Sequence, residues 1–295
     1  MAMAGVTRTS LGVQDFDEQV QAAINRPQSF ETTAGALRRL REAGIKRCNI
    51  DLVYGLPRQT LETLARTLDQ AIALAPDRFA VFAYAHVPWM KPHQKLIDAA
   101  TLPDGPTRAA MAKLVADRLV AAGYVQVGLD HYARADDALA RAVSTGTLRR
   151  TFQGYVADAS PWVIGVGASA ISSLPSGYTQ NVADVAAYMR ELQAGRFATA
   201  RGVALTRDDR LRSDLIARLM CRYEADIDEI CRRHCTRTDT FLASLDRLVP
   251  MQQDGLISFE GHRLKVTDRG RPLLRAVCAA FDRYYTGGEG RHSRL

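Results

Sequence analysis

Seven polar side chains fall where apolar segments of this chain run out: Gln14 and Asp15, Asp51, Tyr84 and His86, Asp130 and His131. Carboxylates, imidazoles and an amide can accept hydrogen bonds from a bound molecule, pair with it or exchange protons with it. Asp51 carries the most weight. It stands in Cys-Asn-Ile-Asp-Leu-Val-Tyr-Gly-Leu-Pro, residues 48–57, where Ile50, Leu52 and Val53 read as a buried strand that Gly55 and Pro57 close with a turn. An ionised carboxylate inside such a strand is costly unless it is partnered, so Asp51 calls for a structural partner or a ligand. Any one of the seven alone reads as a capping or loop-anchoring residue; their shared placement points to one site.

The cysteines offer a second chemistry. Cys231 and Cys235 lie one turn apart on a predicted helix with His234 between them, but Cys221 falls on another helix and the usual paired short spacings are absent. Five cysteines, an odd number, without an export signal read as reduced thiols in a cytoplasmic protein. No apolar run reaches the ~18 residues that span a bilayer. The net charge of +7, from 39 Lys and Arg against 32 Asp and Glu, suits an acidic small molecule, a nucleic acid or a merely solvated basic surface. At 295 residues the chain has room for two domains.

The elements that must position these groups alternate in type. After an irregular start, residues 1–10, a strand is expected over Leu11–Phe16. Ser29 opens a helix through about Ala43 with Gly44 behind it, and the strand around Asp51 follows. Thr60 caps a helix with Leu64, Leu68 and Ile72 on its apolar stripe, which Pro76 stops. Then come a strand over Phe79–Ala85, a helix over Thr107–Ala122 and a strand over Tyr124–Asp130. Strand and helix alternating four times predict a parallel sheet with polar residues at the carboxyl ends of its strands. Four strands are too few to close a barrel, so the chain reads as the second part of one.

Downstream, Gly165, Gly167 and Ala170 match a dinucleotide fingerprint, but no strand-to-helix context surrounds them. A close approach of backbone to a ligand and a simple tight turn remain the alternatives. From Thr206 onward, helices over Asp208–Met220, Asp226–His234 and Phe241–Gln253 precede a hairpin around Gly261 and a last helix to Tyr285. Three helices and a two-stranded wing resemble a winged helix. The helix before the wing is not markedly basic, so a packing or lid role weighs at least as much as DNA binding, and no nucleic-acid partner is expected.

Several segments in order resemble the oxygen-independent coproporphyrinogen III oxidase family of radical S-adenosylmethionine enzymes. They are Gly12–Phe16, Asn49–Pro57, Tyr84–His86, Asp130–Arg134, Phe152–Tyr155, Gly167–Ser172 and Ala204–Asp209. The resemblance implies an α/β fold: the C-terminal part of a partial (βα)6 radical-SAM barrel with its connecting segment over residues 1–203, then a helical, winged-helix-like domain over 204–295. It implies two S-adenosylmethionine molecules beside a [4Fe-4S] cluster. By position Gln14, Arg26, Asp51 and Ala85 look like contacts to the second of these molecules and Ile171 to the cluster-bound one. In the family the reduced cluster cleaves the cofactor, and the radical so formed starts the oxidative decarboxylation of two propionates, giving protoporphyrinogen IX in heme biosynthesis. A tetrapyrrole substrate, an electron donor and a monomeric state are the partners implied. Arg150 is the candidate contact to a substrate carboxylate.

The family's Cys-x3-Cys-x2-Cys motif and glycine-rich cofactor segment lie upstream of the first matching residue, and neither is present; Thr151 stands where the family usually has Asn. The expectation is therefore a member shortened at its N-terminus, named by the parent activity. The alternative is an inactive module that binds S-adenosylmethionine or a porphyrin.

Overall fold

A computed structural model describes residues 5–152, 154–160 and 162–285. They form two compact units, one over residues 5–145 and one over 146–285. In the first unit β1 (Arg8–Gln14), α1 (Glu18–Ala23), α2 (Phe30–Glu42), β2 (Arg47–Tyr54), α3 (Leu61–Ala73) and β3 (Arg78–Ala83) follow one another, and the three strands are parallel neighbours. Local chemistry explains the boundaries. The Asp17 and Ser29 side chains accept from backbone N–H groups of the first turns of α1 and α2. Thr60 and Thr63 form a reciprocal capping box at α3. The chain leaves α2 through Gly44 at φ +87°, a conformation that glycine adopts without a Cβ clash.

β2 alternates: Cys48, Ile50 and Leu52 are buried, whereas Asn49, Asp51 and Val53 are half-buried. The core forms on the buried side, where Ile50, Leu52, Phe79 and Val81 meet Leu37, Leu64, Leu68, Met111 and Val115. Asp51 is thus on the more open face of a two-faced strand, not inside an apolar one.

The remainder of the first unit departs from the expected pattern. After α4 (Gly105–Ala121) the strand expected over Tyr124–Asp130 is a hairpin: β4 (Tyr124–Val127) and β5 (His131–Arg134), turning at Gly128 with φ +60°. β5 runs antiparallel to β3, so the sheet is mixed and open, in the order β1-β2-β3-β5-β4. α5 (Ala138–Ser144) ends the unit. Two further corrections lie at the start. β1 begins at Arg8, inside the stretch expected to be irregular, and ends at Gln14, whose φ of +72° breaks the strand two residues early. α1 is too short to show a periodic stripe and has no counterpart in the sequence reading. Met1–Ala4 and Gln153, the latter in the quoted segment Phe152–Tyr155, lie outside the described residues.

In the second unit β6 (Arg149–Thr151) and β7 (Gly154–Val156) form a hairpin. β8 (Ile171–Leu174), β9 (Gly177–Asn181), α6 (Val185–Gln193) and β10 (Thr199–Ala204) follow, with an antiparallel sheet in the order β10-β9-β8. The Gly165–Ala170 stretch leads into strand β8 and not a helix, so it is no dinucleotide loop. A Cβ at Gly165 would lie 2.6 Å from the Ile171 carbonyl oxygen: the close approach is to the chain's own backbone.

α7 (Arg207–Arg222), β11 (Glu224–Asp226), α8 (Ile227–Arg233), α9 (Leu242–Asp246), α10 (Val249–Gln253), β12 (Ile257–Glu260), β13 (Arg263–Val266) and α11 (Leu274–Ala279) complete the helical, winged part. β11 joins the wing as a third strand, in the order β11-β13-β12. The helix expected over Phe241–Gln253 is broken in two at Arg247 and Leu248, ahead of Pro250, and the last helix stops at Ala279, not Tyr285. Among the described residues no helix is long and apolar enough to cross a membrane.

Candidate functional site

Three of the expected contact residues meet around Gly12. β1 and β2 pair in register with Gly12 beside Asp51, and a bulge follows between Gly12 and Gln14. The bulge and the left-handed Gln14 turn the chain so that the Gln14 amide folds back over Gly12. A Cβ there would lie 2.9 Å from Gln14 Nε2 and 3.3 Å from Arg26 Nη2. Arg26, in the loop after α1, donates from Nη2 to the Gly12 carbonyl at 2.8 Å. A side chain at Gly12 would displace both groups.

Asp51 faces this cluster with its carboxylate held on two sides. Ser10 Oγ donates to Oδ2 at 3.0 Å and Asn49 Nδ2 donates to Oδ1 at 2.6 Å, while Asn49 also donates to Ser10 at 2.8 Å. The Asn49 Oδ1 beside them is buried without a hydrogen-bond partner. Sequence reasoning missed Ser10 and Asn49. Asn49 could have been found from period two, since residues 49 and 51 share a strand face, but Ser10 fell in the stretch read as irregular. Ala85 follows β3; its carbonyl accepts from Gln94 Nε2 at 3.0 Å, and Tyr84 before it donates its N–H to Tyr54 of β2.

The other singled-out residues have structural company. Asp15 is fully buried under the site. The Tyr84 hydroxyl lies 3.2 Å from His86 Nδ1, and His131 Nδ1 lies 2.7 Å from Asp130 Oδ1 in the β4–β5 turn. Ile171 and Arg150 belong to the second unit: Ile171 opens β8, and Arg150 on β6 stacks its guanidinium 4.6 Å from the Tyr155 ring centre, with Nη1 buried and without a hydrogen-bond partner.

Comparisons with known proteins match this architecture. A model of the radical SAM superfamily matches residues 1–71, and one of the HemN C-terminal domain matches residues 205–273. The oxygen-independent coproporphyrinogen III oxidase of Bradyrhizobium diazoefficiens is 51% identical over 294 residues, covering 100% of this chain and 65% of that protein. Over nearly its whole length this chain is similar to oxygen-independent coproporphyrinogen III oxidases. The family's Pseudomonas aeruginosa member is 41% identical over 281 residues, 95% of this chain and 61% of that protein. The solved structure of coproporphyrinogen III oxidase (HemN) from Escherichia coli, titled as a radical SAM enzyme, superposes with a TM-score of 0.86 at 39% identity, covering 96% of this chain and 65% of that one. The chain thus spans about 65% of the length of these first relatives.

Similarity to the radical SAM superfamily implies S-adenosylmethionine and a [4Fe-4S] cluster, and the residues present fit the two differently. A ligand with an α-carboxylate, an ammonium, a sulfonium and a ribose diol is suited by the amide and guanidinium donors of Gln14 and Arg26, by the Asp51 carboxylate and by the unpaired Asn49 acceptor. The cluster needs thiolates. Cys48, Cys231 and Cys278 are buried and burial pushes each thiol up, Cys278 to about 12; half-buried Cys221 is pushed up to about 11 by the same cause. Cys235 is exposed, just past the end of α8. Among the described residues no three His, Cys, Asp or Glu side chains converge as a metal site. The thiols of this chain do not fit the cluster.

Proposed function

We propose that the chain binds S-adenosylmethionine at the carboxyl ends of β1, β2 and β3 and takes part in the oxidative decarboxylation of coproporphyrinogen III to protoporphyrinogen IX. In this reading Arg26 and Gln14 bind the carboxylate end of the ligand, Asp51 accepts from its ribose hydroxyls or pairs with its cationic part, and Ala85 borders it. Two such molecules are involved: these four residues contact the second, and Ile171 contacts the cluster-bound one. Bound S-adenosylmethionine supplies radical chemistry once reduced. The cluster that reduces it takes its thiolates from outside these 295 residues, and the electron donor is a separate protein. Arg150, with its unsatisfied buried nitrogen, is the contact to a substrate propionate. The winged part over residues 205–273 acts in packing, in a reading supported by the C-terminal domain match and by ion pairs that engage the basic groups near α8: Arg218 with Glu229 and Arg233 with Asp214.

The observation that carries the proposal is the convergence of Gln14, Arg26 and Asp51 on Gly12. Equilibrium dialysis with S-adenosylmethionine, together with iron and sulfide analysis after anaerobic reconstitution, tests it. Retention of the ligand without a stable cluster is expected. No retention overturns the binding site, and about four iron and four sulfide per chain would overturn the claim that the thiolates lie elsewhere.

A further inference from the structure

Under the Gly12 cluster lies a polar network that stability alone does not require. Asp15 is completely buried, and no cation pairs with it among the described residues. Its Oδ1 accepts from the Asp17 N–H at 2.6 Å and the Thr67 hydroxyl at 2.8 Å, and its Oδ2 accepts from Gln59 Nε2 at 2.6 Å. Gln59 lies 44 residues away, and its Oε1 accepts from the N–H groups of Gly55 and Leu56 while Nε2 also donates to the Val53 carbonyl. The carbonyl of Asp15 accepts from Gln21 Nε2, which also donates to the Gln28 carbonyl; Gln28 in turn donates from its backbone to Gln21 and from its side chain to Thr33.

Among the described residues, five of the eight buried polar ones, Asp15, Gln21, Thr33, Gln59 and Thr67, therefore sit in one cluster behind one end of the sheet. A buried carboxylate costs more than an apolar side chain of the same size would, so this arrangement holds a conformation at the expense of stability. The conformation is identifiable. Gln14, next to Asp15, has φ +72°, a left-handed backbone that an ordinary L residue keeps only when its surroundings enforce it. Arg26 is carried by the loop that Gln21 ties at Gln28, and Asp51 lies on the strand whose exit turn Gln59 holds at Val53, Gly55 and Leu56.

We propose that Asp15 is a positioning residue: through Gln59 and Gln21 it fixes together the turns that present Gln14, Arg26 and Asp51 to the ligand. The inference rests on the reading of those three residues as S-adenosylmethionine contacts. Asp15 touches no ligand itself. It makes the cost of ordering the turns part of folding, so that binding does not bear it.

The division of labour between the two carboxylate oxygens allows a clean test. An Asn at position 15 keeps an acceptor for Asp17 and Thr67 but turns a donor toward the Gln59 amide, and a Glu at 59 sets two carboxylates face to face. Together the two changes restore one donor and one acceptor between the two side chains, with the bond reversed, while the Val53 carbonyl loses its Gln59 donor in both variants that carry Gln59→Glu. In the full 295-residue chain, Asp15→Asn and Gln59→Glu are each expected to weaken S-adenosylmethionine binding by about tenfold or more, and the double variant to bind more tightly than either single one while staying weaker than the parent.

Amide hydrogen exchange without ligand is the second readout. Each single variant is expected to lose protection over both residues 12–28 and residues 53–59, and the double variant to regain it over residues 12–28 and in part over residues 53–59. Single variants that fold, bind and exchange like the parent overturn the proposal, as does a double variant no better than either single one. If the parent itself binds no S-adenosylmethionine, the ligand reading fails while hydrogen exchange still decides whether Asp15 couples the two turns. If the single variants do not fold, Thr67→Val, which removes one donor to Asp15, provides the same comparison of segments.

Discussion

The Gln59 side-chain amide donates to the Asp15 carboxylate at 2.6 Å, joining the turn after β2 to the turn after β1 across 44 residues of chain. Both groups are buried, and every donor around Asp15 is an amide or a hydroxyl. Such a pair couples loops more than it adds stability.

Burial, opposed by its hydrogen bonds, holds the Asp15 carboxyl above the ordinary aspartate range. Because the folded value is raised, the native state binds the proton more tightly than the unfolded chain. Its contribution to stability is complete below the unfolded value, about 3.9, and is lost as pH rises through the folded one. The unfolding free energy of the parent relative to Asp15→Asn is therefore expected to fall as pH rises above about 3.9. Urea denaturation at stepped pH measures it; a difference that is flat or rises would contradict the assignment.

Asp51 and Arg26 have no role in the core, so their removal separates binding from folding. Asp51→Ala and Arg26→Ala are each expected to weaken S-adenosylmethionine by about 1–3 kcal/mol, roughly tenfold to a hundredfold, while leaving the thermal midpoint nearly unchanged. Calorimetric titration and thermal melts on the same samples give both numbers. Equal losses in affinity and midpoint would assign these residues to the fold.

Thiol reactivity should follow burial. At neutral pH only Cys235 is exposed; the other four cysteines are buried or half-buried, with thiols pushed up by desolvation. Iodoacetamide is expected to add one label quickly, at Cys235, and the other four only on unfolding. Peptide mass spectrometry reads the positions, and rapid labelling of Cys221 or Cys278 would show a more open second unit.

In the first unit Arg78 of β3 donates from Nε to the buried Asp137 at 3.0 Å, and Asp137 also caps α5 by accepting from the Leu139 N–H at 2.8 Å. Arg78→Met leaves that carboxylate buried without its cation and is expected to destabilise by about 3–5 kcal/mol. Chemical denaturation compared with Thr60→Ala, a cap deletion worth about 1 kcal/mol, sets the scale.

What depends on near neighbours is legible from the residues alone. Ser29 and Thr60 announce helix starts because a hydroxyl at the N-cap reaches a backbone N–H three residues on, and the glycines at 44 and 261 mark turns that need positive φ. The alternation from β1 through α4, apart from α1, and the wing hairpin of the second unit were legible on these grounds. Gln14 and Asp51 stood out by their placement at strand ends, whereas Arg26 came from the resemblance over many short segments.

The tertiary structure decided what depends on distant partners. The run Tyr124–Asp130 is apolar enough for a single strand, and only the pairing of β5 against β3 shows that it turns at Gly128. Asp51 read as a charge in an apolar strand because its partner Ser10 lies 41 residues away and its strand has one open face. Arg26 reaches Gly12 only because α1, too short to show a period, folds the chain back on β1. Asp15 has a role only beside Gln59 and Thr67 of the α3 region, 44 and 52 residues on, since hydrogen bonds report proximity in space and no local pattern encodes it.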